Sequence, residues 1–220
     1  MGYGALSAFR KIFLGLLLAS WGVSAAAEPV TIAALGDSLT QGYGLPQEDG
    51  FVPQLQRWLQ DQGADAALIN AGVSGDTTAG GAARVDWTLT PDVDAMIVTL
   101  GGNDLLRGLD PAMSRANIET ILQAAGTAEV PVLLIGIPAP GNYGADYKAE
   151  FDRIYPELSA QYDTLYLPSF FTGFGADAGN PEAVRGFMQA DGIHPNPDGV
   201  AVIVAGIGPQ VLALIDRASR

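Results

Sequence analysis

His194 is the only imidazole in this 220-residue chain, which has no cysteine. Disulfides, thiol nucleophiles and thiolate metal sites are therefore excluded, and a His-rich zinc site lacks its ligands. Any imidazole chemistry falls to His194. Three residues before it stands Asp191, in the sequence Asp191-Gly192-Ile193-His194-Pro195. Pro195 biases His194 towards an extended backbone, and Gly192 allows a turn. One short segment can thus carry a base and the carboxylate that orients it. The plainer alternative, a lone histidine in a surface loop, leaves the carboxylate at this spacing unexplained.

A base needs something to activate. The stretch Val30–Gly44, VTIAALGDSLTQGYG, runs from an apolar segment into Gly36-Asp37-Ser38. A short apolar run ended by glycine is the mark of a buried parallel strand, and Ser38 then stands on the first turn after it. Cleavage of an ester or thioester by serine requires a base for the hydroxyl proton. It requires a carboxylate to fix the imidazole tautomer, and hydrogen-bond donors for the oxyanion. Asn103, just after Gly101-Gly102, can aim its side-chain amide at the same place. Gly75 can offer a backbone N–H close to a substrate oxygen, and the Ser38 N–H would be a third donor. Helix capping and turn formation are the commoner fates of isolated Ser, Asp, Asn and Gly. Asp37, Asp76 and Asp104 read as turn or cap residues that hold these loops.

The elements that must bring these residues together alternate. A strand over Val30–Leu35 precedes a helix at Phe51–Gln62, where apolar residues at 51, 52, 55, 58 and 59 have helical spacing. Ala66–Asn70 is a second strand, followed by the glycine-rich turn Ala71–Gly81 and a short helix to about residue 89. Asp94–Leu100 is a third strand running into a loop at Gly101–Asp104. A helix over Pro111–Ala125, a strand over Val130–Ile137 and a loop at Pro138–Gly144 come next. The amphipathic stretch Ala145–Tyr162 reads as a helix that Pro156 bends or restarts. A short strand at Thr164–Leu167 precedes the Asp191–His194 segment, and a closing helix lies within Pro197–Arg220. Such alternation predicts an α/β fold: a flavodoxin-like three-layer αβα sandwich on a five-stranded parallel sheet of order 2-1-3-4-5.

Composition narrows the partners. With 24 acidic against 11 basic residues and a net charge of −13, the chain lacks the clustered cations that nucleic acid requires. Residues 1–27 read as a signal peptide: Arg10 and Lys11, then the apolar Ile12–Ala19, then small residues Ser24–Ala27. The apolar stretch is shorter than the roughly 20 residues a membrane span needs. Cleavage near Ala27 would remove two basic residues and no carboxylate, taking the charge from −13 to −15. That leaves residues 28–220 as one exported domain, periplasmic or secreted, acidic and without a stable membrane span, expected as a monomer.

Gly36-Asp37-Ser38-Leu39, Gly75 within SGDT, Gly102-Asn103-Asp104 and Asp191-Gly192-Ile193-His194-Pro195 together resemble the four blocks of the SGNH (GDSL) hydrolase family, in order, over residues 30–217. GDSLTQGYG, AGVSGDTTAGG, LGGNDLLRG and the PGNYG loop are similar to its small bacterial branch of exported arylesterases, thioesterase I and lysophospholipases. The resemblance implies Ser38 as nucleophile, Asp191 and His194 as the rest of a triad, and Ser38, Gly75 and Asn103 as oxyanion donors. It implies no metal and no cofactor. The expected substrates are aryl esters, short-to-medium acyl esters or thioesters, and lysophospholipids. Leu105–Leu109 and Pro138–Tyr147 are expected to contact or gate the acyl chain. Two rivals remain: a carbohydrate O-deacetylase on the same machinery, and a non-catalytic flavodoxin-like module binding phosphate or nucleotide at its first glycine-rich turn. The second lacks a P-loop lysine and a Gly-x-Gly-x-x-Gly run after the first strand.

Overall fold

The computed structural model describes residue 1 and residues 28–220; the segment read as a signal peptide lies outside the described residues. Five parallel strands form one sheet in the order β2-β1-β3-β4-β5. They are β1 (Val30–Gly36), β2 (Ala66–Gly72), β3 (Ala95–Thr99), β4 (Val132–Ile135) and β5 (Leu165–Leu167). The helices are α1 (Ser38–Gln41), α2 (Phe51–Asp61), α3 (Thr78–Thr88), α4 (Gly102–Leu106), α5 (Pro111–Thr127), α6 (Ala145–Tyr162), α7 (Pro181–Val184) and α8 (Pro197–Ala218).

The central strands β1, β3 and β4 read as nearly continuous apolar runs because both faces of the sheet are covered there, whereas the edge strand β2 leaves Ile69 and Asn70 exposed. On one face Ile32, Ile97 and Leu133 pack against Phe51, Leu55 and Leu59 of α2 and Ile203, Ile207 and Val211 of α8. On the other, Met96, Val98 and Leu134 meet Val85 of α3, Ile118 and Ile121 of α5, and Phe151 and Leu158 of α6. Burying each such side chain is worth roughly 1.5–3 kcal/mol. By length and composition α8 is apolar enough to cross a membrane. Here it is a core helix, with Val200, Ile203, Val204, Ile207, Val211 and Leu214 buried.

This topology places the site. The chain leaving β1 turns to β2 on one side, while the chain leaving β3 turns to β4 on the other. Between the carboxyl ends of β1 and β3 the connections diverge and leave a crevice, the usual ligand position in such sheets. Gly36 pairs with Thr99 at that edge, so the loops beginning at Asp37 and Leu100 start side by side.

Several boundaries differ from those expected. β4 is confined to Val132–Ile135, because its outer neighbour β5 offers only Leu165–Leu167 as partners. Pro156 neither ends nor restarts α6, which is one helix over Ala145–Tyr162. Proline removes one backbone bond; Phe151, Ile154, Tyr155 and Leu158, buried on both sides of it, offset the loss. The expected loop at Gly101–Asp104 is the start of α4, with Gly101 as its N-terminal cap residue at φ 117°. A side chain is excluded at Gly101: a Cβ there would lie 2.1 Å from the Tyr155 hydroxyl, which donates to the Leu100 carbonyl.

Candidate active site

Ser38 opens α1 directly after β1. Asp37 caps that four-residue helix, its Oδ1 accepting from the Leu39 N–H at 3.1 Å. The serine hydroxyl is thereby held at the carboxyl edge of the sheet, facing the loop that carries His194. That loop is tightly pinned. Gln189 N–H donates to the His194 carbonyl at 2.8 Å, Gly192 N–H donates to the Gln189 carbonyl at 3.0 Å, and Met188 bridges Pro195.

Within the loop, Asp191 Oδ1 accepts from the Ile193 and His194 N–H groups at 2.9 and 3.0 Å. Its Oδ2 lies 2.6 Å from His194 Nδ1. The hydrogen bond from the imidazole, reinforced by those backbone donors, holds the Asp191 carboxyl down to about 2. A carboxylate at Nδ1 selects the tautomer with its proton on that nitrogen, which turns the Nε2 lone pair towards Ser38 Oγ, 2.8 Å away. Tyr43 covers the imidazole, ring centroids 4.7 Å apart. Gln189 secures that cover by donating from Nε2 to the Tyr43 and Pro195 carbonyls.

Ser38, Gly75, Asn103 and His194 line one depression of about 170 Å³, with Asp191 behind the imidazole. Gly75 has φ +85°, which positions its N–H as few other residues could. Neither the Gly75 nor the Ser38 N–H finds an acceptor among the described residues. Asn103 Nδ2 donates to the Asp76 carbonyl at 2.9 Å and stands 3.4 Å from Asp37 Oδ2. All five residues singled out from the sequence are therefore at one place.

Three features were not legible in advance. Asp37 is more than a cap: it is 1% exposed, and burial pushes its carboxyl up to about 6, against the opposing pull of the Leu39 N–H, the Asn103 amide and His194. Asp104 is not a local turn residue. It is buried and ties α4 to α3 and α5, accepting from Thr78 N–H (2.9 Å), Thr78 Oγ1 (2.6 Å) and Ser114 Oγ (2.9 Å). Asp76 is engaged by Arg84, whose guanidinium also donates to the Ala71 and Gly36 carbonyls. The one available hint was a cation two helical turns after Asp76 in an acid-rich chain.

An apolar pocket of about 260 Å³ adjoins the depression, sharing Leu39, Gly102, Leu106 and Ile193 with it. Leu105 and Leu106, and Pro138, Pro140 and Tyr143, are among its walls, so both segments expected to contact the acyl chain border it. A separate hollow of about 340 Å³ lies at the opposite edge of the sheet, around Val130, Tyr162 and Arg217. It contains neither the serine nor the histidine and belongs to no relay.

A doubly wound parallel sheet with a hydroxyl–imidazole–carboxylate relay at its carboxyl edge defines the serine hydrolase class of α/β enzyme. Residues 34–202 match the GDSL-like Lipase/Acylhydrolase family, and the chain belongs to that family. It is 41% identical to the esterase TesA of Pseudomonas aeruginosa over 84% of this chain and 90% of that protein. It is 34% identical to the thioesterase 1/protease 1/lysophospholipase L1 of Escherichia coli over the full length of both. Among solved structures, a TesA crystal structure aligns with a TM-score of 0.75 at 38% identity, covering 84% of this chain and 99% of that one. The SGNH-hydrolase family esterase AlinE4 aligns with a TM-score of 0.69 at 42% identity, covering 86% and 97%.

Proposed function

We propose that the chain is a serine esterase that cleaves aryl esters and short-to-medium acyl esters or thioesters, lysophospholipids included, through an acyl-enzyme. The observation that carries this reading is the continuous relay from Ser38 Oγ through His194 to Asp191, with contacts of 2.8 and 2.6 Å.

Ser38 Oγ attacks the acyl carbon as its proton passes to His194 Nε2, and Asp191 stabilises the resulting imidazolium. The carbonyl oxygen, now an oxyanion, takes hydrogen bonds from the Ser38 and Gly75 N–H groups and from the Asn103 amide. Each such donor is typically worth ~100–1,000-fold in rate. Collapse of the tetrahedral adduct breaks the ester bond, and His194 gives its proton to the leaving oxygen or sulfur. Water then repeats the sequence on the acyl-enzyme and releases the acid. The hydrocarbon of the acyl group fits the pocket walled by Leu105, Leu106, Ile137 and Phe171. Those walls favour an acyl chain over a sugar, and so favour esterase over carbohydrate deacetylase. Membership of a hydrolase family, together with the relay, speaks against a non-catalytic nucleotide-binding module.

Every group in the scheme comes from one chain, which supports action as a monomer; size-exclusion chromatography checks that. The reading includes export, with residues 1–27 as a cleaved signal peptide before the hydrolase domain at 28–220, testable by N-terminal sequencing of the exported protein. The central experiment is the assay of S38A and H194A on p-nitrophenyl acyl esters. Loss of turnover in both is expected, and full activity in either removes the mechanism.

A further inference from the structure

Asn103 is the one proposed oxyanion donor that is a side chain, and an amide fills that role only when its nitrogen, not its oxygen, faces the substrate. Two acceptors stand on the nitrogen side. The Asp76 carbonyl accepts from Nδ2 at 2.9 Å, and Asp37 Oδ2 stands 3.4 Å from the same nitrogen. Among the described residues no donor reaches Asn103 Oδ1. These two contacts therefore decide which end of the amide points where. The Asp37 carboxylate is itself fixed: it is buried, and its Oδ1 accepts from the Leu39 N–H at 3.1 Å. Its Oδ2 fits against the start of α4 because residue 102 is glycine, where a Cβ would lie 3.1 Å from that oxygen.

An amide nitrogen carries two hydrogens. One is committed to the Asp76 carbonyl. The other has to reach the oxyanion, and at 3.4 Å Asp37 holds it loosely enough to surrender it. A charge-assisted contact of about 2.8 Å would instead keep the donor from the substrate. We infer that Asp37 is a positioning residue of the oxyanion hole: besides capping α1, its Oδ2 keeps the Asn103 nitrogen turned towards the crevice and yields the hydrogen when the oxyanion forms. This inference rests on the esterase reading, in which Asn103 is an oxyanion donor. Repulsion between the carboxylate and the oxyanion opposes it. Orientation outweighs that repulsion, because a reversed amide would remove a donor, typically worth ~100–1,000-fold in rate, and aim an oxygen at the negative charge as well.

The test is a double-mutant cycle on p-nitrophenyl butanoate. It is run well above pH 6, the value to which burial raises the Asp37 carboxyl, so that Oδ2 only accepts. Each kcat is referred to the sites that a fluorophosphonate labels at Ser38, so misfolded protein does not count. D37N keeps an oxygen for the Leu39 N–H but puts an amide nitrogen where Oδ2 stood, donor against donor. D37S also caps α1 and offers Asn103 no acceptor. D37N is expected to lower kcat roughly 10–100-fold and D37S about three- to tenfold, fractions of the ~100–1,000-fold expected for N103A. KM is expected to change less than about twofold in both, since the contact matters only once the oxyanion forms. In the N103A background either substitution is expected to change kcat less than about twofold, because the partner it acts through is gone. Wild-type kcat in D37N overturns the proposal. So does a D37N effect undiminished in N103A, which would mean that Asp37 acts on Ser38 or on the fold. If D37N yields no labelled sites, D37S decides alone, and no labelled sites in either variant overturns the proposal by making Asp37 a structural residue. Absence of butanoate turnover in the wild type would instead sink the esterase reading.

Discussion

Arg84 Nε donates to Asp76 Oδ2 at 2.7 Å, and the same guanidinium donates to the carbonyls of Ala71 and Gly36. One side chain from α3 thus bolts together the ends of β1 and β2 and the loop holding Gly75. Asp76 also offers its carbonyl to Asn103. Two of the three proposed oxyanion donors therefore depend on the position of a residue that Arg84 holds.

R84A is expected to lower kcat by roughly 10–100-fold with a smaller change in KM, because a displacement of about 1 Å at the reacting centre costs on that order. R84K is expected not to restore it, since an ammonium cannot reproduce three donations from a planar fork. Steady-state kinetics on a butanoyl ester measure both, and wild-type kcat in R84A would show that the loops hold without the guanidinium.

D191N preserves the shape of the side chain but loses the carboxylate that selects the His194 tautomer. A fall in kcat on the order of 10³–10⁴-fold is expected, with the Ile193 and His194 backbone donations still available to the amide oxygen. Pre-steady-state acylation rates provide the measurement. A loss of less than tenfold would mean that the backbone alone orients the ring.

The buried Asp37 makes stability depend on pH in a direction opposite to most carboxylates. Its folded value of about 6 lies above the ordinary 3.8, so between these pH values the folded state keeps a proton that the unfolded chain has lost. Its contribution is complete below about pH 4 and is lost as pH rises through 6. Asp191, held at about 2, works the other way: its contribution is present above 3.8 and lost as pH falls towards 2, and its exposure to solvent keeps that contribution small. The difference in urea midpoint between D37N and wild type is expected to shift in favour of D37N from pH 4 to 7. A constant difference would refute the assignment.

Asp104 accepts three hydrogen bonds in the interior between α3, α4 and α5. D104A strands the Thr78 and Ser114 donors and is expected to cost about 3 kcal/mol, since hydrogen bonds to a charged group and unsatisfied buried donors each cost in that range. For a chain of this size that is a fall in Tm of roughly 6–12 °C. Calorimetry decides, and an unchanged Tm would show that the bracket is not structural.

The order of strands was legible because β1 and β3 are apolar apart from Thr31 and Thr99, as burial on both faces demands, and because helical spacing separates them. The limits of β4 and the continuity of α6 through Pro156 were not. The first depends on how short β5 is, the second on what packs either side of the proline, and neither is a property of the local residues. Asp104 shows the same limit: its partners Thr78 and Ser114 lie 26 and 10 residues away, and only packing brings them to it.

What the amino-acid sequence determined by itself was the cast. One imidazole, no thiol, and a serine and an asparagine each placed just past an apolar run leave few ways to assemble a relay, because residue types alone limit which protons can move. What the tertiary structure decided was how those residues are held and what surrounds them: the burial of Asp37, the threefold grip of Arg84 and the apolar pocket beside Ser38. These arise from contacts between segments far apart in the chain, whose energies depend on distance and exclusion of water, quantities that exist only once the sheet and its helices have closed around the site.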